Sequence, residues 1–127
     1  MSELRTGVDL PGVPAERAIA AFTDPDVLRA WWGGELFMAD GMYVVNFEHL
    51  GRVLTGRVLA HDPAAHLAFS WQWDGEGKAF RVDVRADGGR LELTHGPYTP
   101  ADADERTAHI AGWAFFLPRL AKTLLTP

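Results

Sequence analysis

The chain has 127 residues, no cysteine, and 17 acidic against 12 basic residues, a formal net charge of -5 at pH 7. That length suits one domain over residues 1–127, with a core of its own but no room for two. The acidic balance and scattered basic residues argue against nucleic acid as a partner, and the lack of cysteine removes disulfides, thiolate nucleophiles and thiolate metal ligands.

The first residues lack the charged start, apolar run and cleavage site of a secretory signal. No apolar stretch reaches the roughly 18 residues that span a bilayer, so no membrane span is expected and the cytoplasm is the expected compartment. A first strand is predicted around Leu4 to Leu10. Pro14 then sits where a first helical turn tolerates proline, which predicts a short helix over Ala15 to Phe22. Thr23 or Asp24 caps a second one, with Pro25 in its first turn and Gly33-Gly34 at its end. From Glu35 to Pro97 the apolar period becomes two, in pieces separated by Asp40-Gly41, Leu50-Gly51, Asp62-Pro63, Asp74-Gly75 and Gly88-Gly89. These are turn residues, and they predict an antiparallel meander of about six strands.

Alternation sends Leu67, Phe69, Trp71 and Trp73 to one face, joined by Phe80, Val82 and Val84 and then by Leu91, Leu93 and His95. The final segment, Ala101 to Leu125, carries His109, Trp113, Leu117, Leu120 and Leu124 at helical spacing, with Pro118 expected to kink it. The fold class is therefore α+β: a curved antiparallel sheet of about seven strands wrapped around a long C-terminal helix, with two short helices after the first strand.

This order of elements resembles the START-like SRPBCC superfamily of helix-grip proteins, and within it the group named after the activator of heat-shock protein 90 ATPase. The resemblance rests on Thr23-Asp24-Pro25 leading to Trp31-Trp32-Gly33, and on Gly56-Arg57-Val58-Leu59 before Asp62-Pro63. Leu67-Ala68-Phe69-Ser70-Trp71, Leu91-Glu92-Leu93-Thr94-His95 and His109-Ile110-Ala111-Gly112-Trp113 complete it. It implies a cavity between sheet and helix, in a superfamily that includes lipid carriers, polyketide cyclases and aromatases. Fold membership alone does not fix the function.

The residues read as facing the cavity are Trp31, Trp32, Phe37, Tyr43, Phe47, Trp71, Trp73, Phe80, His95, His109 and Trp113. Taken singly, each aromatic reads first as a core residue; taken together, the rigid rings predict a mostly apolar pocket for a small apolar molecule. His95 and His109 are either hydrogen-bonded structural histidines or a pair that orients a ligand and exchanges protons with it. No third ligand at recognisable spacing accompanies them, so no metal is expected. No cofactor is expected either, and a catalytic set is not assigned. The only serines are Ser2 and Ser70, at the N-terminus and on the outward face, which sets covalent serine chemistry aside. Small-molecule binding is the expected function; the alternatives are a cofactor-free polyketide cyclase-like enzyme and a chaperone-interaction module. If Phe37, Tyr43 and Val45 face inward, Leu36, Met38, Met42 and Val44 face outward as an apolar patch suited to a homodimer.

Overall fold

Turn chemistry divides the chain into its elements, as a computed structural model describing residues 2–126 shows. The first strand, β1 (Ser2–Asp9), leads to α1 (Ala15–Ala20) and α2 (Pro25–Trp32). Asp24, rather than Thr23, caps α2: its carboxylate accepts from the backbone N–H groups of Asp26 at 2.9 Å and Val27 at 3.3 Å. Gly33, at φ 82°, closes the helix in the left-handed region where a side chain would be strained.

Six strands follow: β2 (Glu35–Ala39), β3 (Met42–Phe47), β4 (Arg52–Asp62), β5 (His66–Trp73), β6 (Phe80–Ala86) and β7 (Arg90–Tyr98). They pair with β1 in one antiparallel sheet of order β1-β7-β6-β5-β4-β3-β2. Between β4 and β5 the register shifts after Val58, a bulge that bends the sheet. Gly56 permits the close approach there, since a Cβ would stand 1.9 Å from the Ser70 carbonyl oxygen.

One expectation fails in β2. Leu36 is buried and Phe37 is 59% exposed, the reverse of the inward Phe37 and outward Leu36 expected from the sequence. Asp40 (φ 53°) and Gly41 (φ 77°) form a two-residue hairpin turn, which pairs Ala39 with Met42, Met38 with Tyr43 and Leu36 with Val45. Paired residues share a face, so an inward Tyr43 brings Met38 and Leu36 inward and leaves Phe37, Val44 and Met42 outside. The outward apolar patch therefore consists of exposed Phe37 and Met42 with half-buried Val44; Leu36 and Met38 do not belong to it.

A single 3₁₀ turn, Pro100–Asp102, precedes α3 (Ala103–Leu125), which starts two residues later than expected. The Asp102 carboxylate accepts from the backbone N–H and hydroxyl of Thr99 and from Lys78 at 2.6 Å. Pro118 lies inside α3, which runs through it to Leu125. The stripe of His109, Trp113, Leu117, Leu120 and Leu124 is buried, so the helix lies on the concave face of the sheet. Arg119 donates to the Trp31 carbonyl at 3.2 Å and Arg17 to that of Leu124 at 2.9 Å, fastening α3 to the short helices.

Candidate functional site

Strand alternation and helical spacing bring two imidazoles together beneath α3. His95 of β7 and His109 of α3 stack with ring centroids 4.1 Å apart and planes 9° from parallel. The Trp113 indole donates to His95 Nδ1 at 3.0 Å, so the neutral His95 carries its proton on Nε2. Tyr98 Oη lies 2.7 Å from His109 Nδ1 and has no other partner among the described residues. Its hydroxyl proton is satisfied only by donation to Nδ1, which places the His109 proton on Nε2 as well.

Burial pushes His95 down to about 2, with repulsion from His109 adding to it. Burial likewise lowers His109 to about 4, against a smaller opposing pull from Glu105. The Tyr98 phenol is raised by burial, so it keeps its proton. At neutral pH the cluster is therefore three uncharged rings with fixed donors and acceptors.

Beside it runs a cleft of about 200 Å³ between α3 and the ends of β3, β4 and β5. Trp32, Trp71, Trp73, Trp113 and Phe47 form its aromatic walls, and Leu50, Arg52, Ala108, His109, Gly112 and Phe116 complete the lining. It adjoins an open depression of about 540 Å³, with which it shares Arg52, Trp71, Trp73, Ala108 and His109. The Arg52 guanidinium lies 4.3 Å from the Trp73 ring centroid at this junction and 3.4 Å from Asp74.

Several residues expected in the cavity lie elsewhere. Trp31 is core: its indole donates to the Ala21 carbonyl at 2.8 Å and its ring stacks on Trp32 at 5.0 Å. Tyr43 is also core, donating to the Phe22 carbonyl at 2.6 Å and stacking on Phe69 at 4.1 Å. Phe37 points away from the site altogether. His95 is fully buried behind the cleft wall, and Phe80 borders the adjoining depression against His109.

Of the lining residues, Leu50, Arg52, Ala108, Gly112 and Phe116 escape the sequence reading, although Arg52 and Gly112 carry a signal. Arg52 shares the parity of buried Leu54, and Gly112 interrupts a helical stripe between His109 and Trp113 where alanine would be the better helix former. Among the described residues no three His, Cys, Asp or Glu side chains gather as a metal site, and no helix is long and apolar enough to cross a membrane.

The comparisons with known proteins agree with this fold. A crystal structure of DynU16, a protein of the dynemicin biosynthetic locus, is 27% identical with a TM-score of 0.83, over 99% of this chain but 48% of that one. The chain thus spans about half the length of that relative. The AHSA1 protein SPO3351 of Silicibacter pomeroyi is 26% identical with a TM-score of 0.76, each chain being covered to 97%. The Aha1 dimer of Colwellia psychrerythraea shares the fold at 20% identity and a TM-score of 0.71, over 98% of this chain and 96% of that one. No curated protein matches the chain. Residues 12–125 match the family described as Activator of Hsp90 ATPase homolog 1-like protein, so the chain belongs to that family, with the helix-grip fold of the START-like group.

Proposed function

We propose that this protein binds a small, ring-bearing apolar molecule in the cleft between α3 and the sheet. The observation that carries the reading is the cleft itself, about 200 Å³ walled by four tryptophans, with His109 and Arg52 as its charged or titratable members. Mostly apolar walls with a few placed polar groups are the usual make-up of a small-molecule site. Ring stacking and edge contacts supply the affinity, while Trp71 and His109 orient the ligand. The likeness to a protein of a biosynthetic locus supports a small-molecule role over a chaperone-docking one. Native mass spectrometry of the full chain with neutral compounds of one to two rings should show one-to-one adducts. Only the free protein mass across such a series would contradict the reading.

The outward patch of Phe37, Met42 and Val44 lies on the hairpin at the sheet edge, where unpaired strand groups and apolar side chains favour self-association. A homodimer through this patch belongs to the same proposal, and the relative from Colwellia psychrerythraea is described as a dimer. Sedimentation velocity at micromolar concentration should give a dimer that Phe37→Glu converts to monomer. A wild-type monomer would remove the dimer.

A further inference from the structure

The side chains that bring polar atoms to the cleft lining are its tryptophans, His109 and Arg52. Trp71 lines it, and its indole Nε1–H is buried without a partner among the described residues. Behind the wall and outside the cleft lining, His95 Nε2 is likewise buried without a partner among the described residues, and it bears the proton because Nδ1 accepts from Trp113. His109 lines the cleft with its Nδ1 already taken by Tyr98, leaving Nε2–H. The three rings are neighbours, with the Trp71 centroid 4.8 Å from that of His95 and 5.4 Å from that of His109. Arg52 at the junction contributes further donors and no acceptor. Acceptor nitrogens exist on both imidazoles, and both are consumed by protein.

We infer that the cleft selects a neutral ring compound bearing a carbonyl oxygen. This rests on the binding reading above. A buried N–H without a partner is destabilising, and a carbonyl oxygen brings two lone pairs to such donors. An amine brings donors to a wall of donors. A carboxylate would pair with the donors, yet it meets an unfavourable field at the entrance. The cations there are already engaged, Arg52 with Asp74 and Lys78 with Asp102, whereas Glu76, Asp104 and Glu105 border the adjoining depression without an ion pair among the described residues. Volume limits the ligand further: a dry cavity of roughly 150 Å³ holds one benzene ring, so about 200 Å³ suits one or two fused rings with a short substituent.

Four naphthalenes of nearly equal shape separate these cases: the methyl ketone, the ethyl hydrocarbon, the carboxylate and the aminomethyl derivative. Titrated calorimetrically against the full chain, the methyl ketone should bind about tenfold or more tighter than each of the others, a difference of about 1.4 kcal/mol. Its advantage over the hydrocarbon should shrink to less than about threefold in Trp71→Phe, which keeps the ring and removes the N–H. The wild-type series decides the question even if that variant fails to fold. Equal affinity for ketone and hydrocarbon overturns the carbonyl inference and leaves the binding reading standing. Tightest binding by the amine or the carboxylate also overturns it. No binding by any of the four overturns both.

Discussion

Between pH 7 and pH 5 the protein should lose about 4 kcal/mol of folding stability, about 2 from each of His95 and His109. In the unfolded chain both imidazoles titrate near 6.5, whereas burial holds them at about 2 and about 4 in the fold. Below 6.5 the unfolded state therefore binds more protons, and stability falls as pH falls. The contribution is complete above about pH 7. It drains away through 6.5 toward 4 for His109 and further for His95. Asp102, whose carboxyl is lowered by Lys78 and the Thr99 backbone, acts in the same direction only at lower pH, so it does not blur this window. Urea unfolding at pH 7, 6 and 5 reads the effect directly. His109→Gln, which keeps a neutral partner for Tyr98, should roughly halve the loss to about 2 kcal/mol. A stability unchanged down to pH 5 would mean that the two rings are not buried as neutral groups.

Gly112→Leu should abolish detectable binding of the naphthyl methyl ketone, a loss on the order of 100-fold or about 2.7 kcal/mol. A Cβ built on Gly112 meets no atom within 4 Å, although the residue lies on α3 between two buried side chains and lines the cleft. A leucine there would fill much of the about 200 Å³ available. Glycine inside a helix weakens it by roughly 0.5–1 kcal/mol relative to alanine, so the chain carries a local instability exactly where side-chain volume would narrow the cleft. Gly112→Ala should accordingly raise stability by about that amount and weaken binding only a few-fold. Calorimetric titration and urea unfolding of the two variants check both halves. Unimpaired ketone binding by a folded Gly112→Leu protein would place the ligand elsewhere.

Much of this architecture is legible in the residue order because its signals are long. The spacing of His109, Trp113, Leu117, Leu120 and Leu124 extends over four turns of α3, and all five are buried. In β7 the alternation of Leu91, Leu93 and His95 sends His95 inward in the same way. Strand β2 is only five residues long and apolar on both faces at Leu36, Phe37 and Met38, so alternation alone could not orient it. The two-residue turn at Asp40-Gly41 carried the missing information through the pairing it imposes. The cleft's dimensions were not legible. They depend on how Trp31 stacks on Trp32 and how Trp71 tilts against Trp113, which is a matter of interdigitation between distant segments. The tautomers were equally out of reach, because they follow from Trp113 and Tyr98 reaching the two Nδ1 atoms.

The most direct test of the binding claim uses the five tryptophans as reporters. In a proton–nitrogen correlation spectrum, each indole N–H gives one resonance. Titration with the naphthyl methyl ketone should move the Trp71 indole signal most, since its N–H lacks a protein partner at the cleft wall. The Trp31 signal should stay in place, because its N–H is bonded to Ala21 inside the core. Saturable movement of Trp71 with Trp31 unmoved is the predicted result. No indole movement, or movement of Trp31 without Trp71, would contradict a ligand site between α3 and the sheet.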